Sequence, residues 1–102
     1  PETWVLDERG EPLFSAVSGP ISSFHHASTQ AFFLSTLTSL VTRFAIDGLV
    51  WDEPKMLRLP DHSPAALAIN YHPADVLARV RHARDFIAAL NATARAARPQ
   101  LQ

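Results

Sequence analysis

Cysteine is absent, so the chain has no disulfide framework and no thiolate chemistry, and it carries no cysteine signal about its redox compartment. Glycine occurs only three times in 102 residues. No G-x-x-x-x-G-K-[ST] run is present to cradle phosphates. An excess of charge is lacking as well. Nine Lys and Arg stand against ten Asp and Glu, a net charge of −1. That removes the electrostatic case for nucleic acid or an anionic membrane as partner. No apolar run approaches the ~20 residues of a transmembrane helix. The opening PETWVLDERG is acidic and polar where a signal peptide is basic and then apolar. No repeat and no low-complexity segment breaks the chain.

What remains is apolar enough to fold: 47 % of residues can contribute to a core, within a length suited to one small domain. TWVLDERGEPLFSAV reads as two short extended pieces around a turn, and SGPISSFHH as loop. A helix is expected over about 28–44. Ser28 or Thr29 would cap it, and Phe33, Leu37, Leu40 and Phe44 would form its apolar stripe. A second helix is expected over about 73–97. Its stripe is Val76, Val80, Ala83, Ile87, Leu90 and Ala94, with Asp75–Arg79 and Arg81–Asp85 as i,i+4 pairs. Ser63-Pro64 would start one short helical turn over 65–69, since Ser caps and Pro suits the first helical position.

Between the helices lies IDGLVWDEP. A short apolar run stops at Asp52 and Glu53, and Pro54 blocks its continuation. Read as a buried parallel strand, it makes the order βαβα, an α/β fold class. In such folds ligands bind at the C-terminal ends of strands, which is where the two acids would sit. Trp51 beside them would wall the site, raise a carboxyl pKa by desolvation and serve as a platform for a sugar ring.

The phrase RFAIDGLVWDEPK resembles the βα segment of glycoside-hydrolase-like TIM barrels, on Asp47, Gly48, Trp51, Asp52, Glu53 and Pro54. The resemblance implies that the chain is part of a (β/α)8 barrel, about a quarter to a half of the ~200–250 residues a full barrel needs. It implies hydrolysis of glycosidic bonds, with Asp52 as nucleophile or base and Glu53 as second carboxyl or structural anchor. Trp51, His25, His26 and Lys55 would contact a small-molecule or polysaccharide substrate. No cofactor is expected. The isolated segment would expose apolar surface and self-associate.

Other readings attach to the same residues. A non-catalytic α/β module would bind sugar or self-associate. The run GLVWDEP is also similar to the Walker B strand of ABC-type ATPases, but the rest of that machinery has no counterpart here. A structural role would have Asp52 cap the loop backbone and Glu53 pair with Lys55 or Arg58. A metal site joining His25, His26 and His62 to Asp52 has no H-x-x-x-H or H-E-x-x-H spacing behind it. Pro1 raises the terminal-proline chemistry of some tautomerases, but there Pro1 enters an apolar strand directly, and here Glu2 and Thr3 intervene.

Overall fold

The computed structural model describes residues 2–52, 59–69 and 72–102. Its elements are β1 (Phe14–Ser15), β2 (Gly19–Pro20), α1 (Ala27–Arg43), α2 (Pro64–Leu67) and α3 (Val76–Ala97).

The N-terminal 23 residues contain three short extended segments, one more than expected, and the three close on each other. Val5 N–H donates to the Ile21 carbonyl at 2.8 Å, Leu13 N–H to the Val5 carbonyl at 3.0 Å, and Ile21 N–H to the Leu13 carbonyl at 3.1 Å. Each segment thus pairs with both others, and Val5 is buried. β1 and β2, antiparallel in the register Phe14–Pro20 and Ser15–Gly19, are the regular part of this unit. Its turns need Gly10 and Gly19, which sit at φ +82° and +81°, where a side chain would be strained. Asp7 and Ser15 hold the turns from inside. Each accepts two backbone N–H bonds through its side-chain oxygen.

α1 forms close to its expected bounds. Its cap differs: His26 occupies the N-cap and gives no side-chain cap bond. The scarcity of charge on α1 has a local explanation. The Thr38 and Thr42 hydroxyls donate back to the helix carbonyls of Leu34 and Thr38. α3 begins at Val76, later than expected, because the Asp75 side chain accepts from Ala78 N–H and ends the preceding loop. That use of Asp75 replaces the expected pair with Arg79, whose guanidinium donates to the Pro73 carbonyl. Asp85 bonds Arg84 rather than Arg81. α2 forms on Ser63-Pro64 as expected, with the Ser63 side chain accepting from Ala66 N–H.

α1 and α3 lie side by side in parallel. Phe33 meets Phe86 edge to face at 5.8 Å. Twelve residues later, Arg98, the C-cap of α3, donates to the carbonyl of Val41 and to that of Phe44, the C-cap of α1. Leu37, Val41, Phe86, Leu90, Ala94 and Leu101 form the core between them, flanked by Phe24, Leu34, Ile46, Leu49, Trp51 and Ile87.

The βαβα barrel segment expected for this chain is not the fold. Among the described residues there are three helices and one two-stranded antiparallel sheet, and residues 45–52 belong to no strand. The physical reason lies in their cover. A buried parallel strand needs neighbours on both edges and helices on both faces. Here, among the described residues, Gln102 alone pairs across the run, accepting from Leu49 N–H and donating to the Asp47 carbonyl. Gly48 permits that approach, since a Cβ there would lie 3.0 Å from the Gln102 carbonyl oxygen. Leu49 and Trp51 turn toward the core, while Val50 is 93 % exposed.

The molecule is elongated, 44 × 26 × 21 Å, with a radius of gyration of 14.6 Å against the ~13 Å usual at this length. Its core is correspondingly thin, and Leu90, 1 % exposed, is at its centre. Leu90→Ala is expected to cost about 2–5 kcal/mol in urea unfolding. A loss below ~1 kcal/mol would mean that α1 and α3 do not depend on this contact.

Candidate functional site

Of the two acids that end the apolar run, Asp52 alone is among the described residues. Asp52 is exposed and makes no hydrogen bond or ion pair to another described residue, and the loop backbone that it would cap, 53–58, lies outside the described residues. Glu53 and Lys55 lie outside the described residues. Trp51 is half-buried rather than presented as a platform. Its indole N–H donates to Asn91 Oδ1 on α3 at 2.9 Å, and it walls a hollow of only about 140 Å³ with Leu49, Asn91 and Leu101. His26 sits at the start of α1, its Nδ1 2.9 Å from the Ser28 hydroxyl.

His25 is the one candidate that the fold builds into a cluster, and its partner is Asp61. Ser23 Oγ donates to Asp61 Oδ2 at 2.5 Å, and His25 Nδ1 lies 2.9 Å from the same oxygen. A carboxylate only accepts, so the proton of this contact sits on His25 Nδ1. Ser63 N–H donates to Asp61 Oδ1 at 2.9 Å. Ser23, Asp61 and Ser63 are all within 2 % of full burial. The next residue, His62, donates its N–H to the Leu6 carbonyl. The cluster therefore ties the loop before α2 to the N-terminal unit. The His82 ring, on α3, meets the His25 ring edge to face at 5.3 Å.

Burial works against a charge on Asp61, but the hydrogen bonds from His25, Ser23 and Ser63 outweigh it and hold the carboxyl down to about 2. At His82, burial first and then the facing His25 ring push the pKa below the usual imidazole value, with Asp85 opposing them.

Ser, His and Asp meet here, but not as a nucleophilic triad. Ser23 donates to the carboxylate rather than to the imidazole, so no base stands over its hydroxyl. It is also closed to solvent. Among the described residues no group of three His, Asp or Glu is placed to hold a metal. No helix among them is long and apolar enough to cross a membrane.

Beside this cluster lies a cavity of about 530 Å³. The N-terminal unit supplies Val5, Ile21 and Phe24. The helices supply Thr29, Phe33 and Phe86, and the loop before α2 supplies Leu59 and Asp61. Phe86 stacks on Phe24 at 5.3 Å and meets Phe33 edge-on, so three aromatic rings form one wall. Sequence reasoning passed over Ser23, Asp61 and the cavity. D-H-S-P does carry a local signal, an Asp bonding two residues ahead before a Ser cap. Nothing in the chain order marks its partners Ser23 and His25, 38 and 36 residues away.

Compared with protein-family models, with curated proteins and with solved structures, the chain matches none. The functional reading therefore rests on geometry.

The cluster predicts a pH dependence. A carboxyl held below its ordinary 3.8 contributes stability that is full above about pH 4 and is lost as the pH falls toward 2. For Asp61 the amount is roughly 2 kcal/mol. The depressed His82 acts in the same direction over a higher window, losing its contribution as the pH falls below the ordinary 6.5. Urea midpoints are expected to fall in two stages, and His82→Gln to remove the upper one. Asp61→Ala, which strands three buried donors, is expected to cost at least about 3 kcal/mol at pH 7. A flat profile between pH 4 and 2 in the unmodified chain would contradict the Asp61 assignment.

Proposed function

We propose that this chain is a non-catalytic small-ligand-binding module whose site is the cavity between the N-terminal unit and the two long helices. The observation that carries the reading is the cavity itself. Its size falls in the ~300–1,000 Å³ range of small-molecule pockets. Its wall is more apolar than polar, with three phenylalanines and four aliphatic side chains beside the hydroxyls of Ser15, Ser18, Ser22 and Thr29 and the Asp61 carboxyl, which suits a largely apolar ligand. It also spans three separate parts of the chain, so an occupant would bridge them and stabilise the fold by mass action. A neutral bicyclic arene such as naphthalene is expected to bind saturably and to raise the unfolding temperature. Ser18→Trp, at the exposed rim, is expected to abolish that binding with little change in the stability of the free protein. Absence of a saturable shift in an NMR titration would remove the cavity as the functional site.

A second reading, hydrolysis of a glycosidic bond at Asp52, is favoured by a separate observation. Asp52 is exposed, has no structural partner among the described residues, and follows a Trp whose position is set by Asn91. An exposed carboxylate is accessible to a substrate. The mechanism needs a second carboxyl about 5–5.5 Å away for retention or about 6.5–9.5 Å away for inversion. Asp52→Asn is expected to lower aryl-glycoside hydrolysis at least a hundredfold while stability moves by less than about 0.5 kcal/mol. Equal rates in the two proteins would exclude Asp52 from any such reaction.

A further inference from the structure

Among the described residues the cavity wall contains one carboxylate, Asp61, and no Lys or Arg. Asp61 is 2 % exposed, yet it lines a space whose wall is mostly apolar, with Phe24, Phe33 and Phe86 prominent, and whose other polar groups are the neutral hydroxyls of Ser15, Ser18, Ser22 and Thr29. Its hydrogen bonds come from Ser23, His25 and Ser63. Two of these donors, the Ser23 hydroxyl and the Ser63 amide, are neutral groups. They disperse the negative charge over dipoles without cancelling it, and the third donor is the His25 ring nitrogen at 2.9 Å, a contact that is an ion pair when the ring is doubly protonated. The next titratable group, His82, is kept toward its neutral form by burial and by the facing His25 ring. Arg81 and Asp85 flank His82 on α3 with opposite signs.

A fixed charge in an apolar wall acts over a longer range than one in water, because little solvent lies between it and an occupant. It raises the energy of an anion in the cavity and lowers that of a cation. The aromatic wall adds to this, since the faces of Phe24, Phe33 and Phe86 are the electron-rich side of each ring. We propose that the ligand of this cavity is an apolar amine in its protonated form, with the Asp61 carboxylate as its counter-charge and the three phenylalanines as the seat of its apolar body. Carboxylates and sulfonates on the same body are excluded. The proposal rests on the cavity being the binding site and adds the charge class of what binds there.

The test uses three probes that share one body and differ in charge: 1-naphthylmethylamine, 1-naphthylmethanol and 1-naphthoate, titrated into the unmodified chain at pH 7.5. The amine is expected to bind at least tenfold more tightly than the alcohol, and the carboxylate at least tenfold more weakly. Asp61→Asn is expected to bring the amine and the alcohol to within threefold of each other while the alcohol still binds. Should that variant not fold, the order of the three probes on the unmodified chain decides the question. Equal binding of all three, or preference for the carboxylate, overturns the amine assignment and leaves the cavity as the site. Failure of the neutral alcohol and the amine alike overturns the cavity reading, and the amine assignment with it.

Discussion

A carboxylate removed from water has to be answered by donors held in place, and most of what is distinctive in this structure follows from how Asp61 is answered. The donors come from parts of the chain that have no other reason to meet. Ser23 and His25 lie at the exit of the N-terminal unit, and Ser63 at the start of α2. Once the charge is buried, each of them is committed, because removing one leaves a deficit in a low-dielectric interior. The cluster is thus the fastening between a small β unit and a pair of helices that share little other apolar contact.

The same fastening creates the cavity. α1 and α3 pack tightly through Val41, Leu90 and Ala94 toward their C-terminal ends. At the other end Phe24 and Phe33 meet Phe86, and the N-terminal unit is held there by a polar joint rather than by interdigitated apolar side chains. Hydrogen bonds fix the separation of the two parts whether or not side chains fill the gap. A space of about 530 Å³ remains, with the Asp61 carboxylate at the joint. An elongated molecule with a thin core has little else to bury, which is why many large apolar residues, Val17 at 97 % among them, remain on the surface.

The helices were legible in the chain order, because their information is local. The four- and three-residue steps of Phe33, Leu37 and Leu40, and those of Ala83, Ile87, Leu90 and Ala94, mark a face before any partner is known. The Ser63-Pro64 start of α2 was legible for the same reason. The run from Ala45 to Asp52 misled. An apolar run that ends in acids reads as a buried strand only if a sheet exists to receive it, and that is a property of the rest of the molecule. Its apolar residues instead divide between the core and solvent. Trp51 turns to Asn91, and Asp52 is left outside.

Composition and local pattern, taken alone, determined the helical segments, the glycine turns, the lack of cysteine chemistry and the absence of a charge bias toward polyanions. Those follow from backbone preferences and from side-chain periods over a few residues. The tertiary structure alone decided which titratable groups matter. His25 and Asp61 acquire their chemistry from each other across 36 residues of chain, and Asp52 acquires no partner among the described residues. A pKa, a cavity and a buried charge are properties of what surrounds a side chain, and its surroundings exist only once distant segments have packed together.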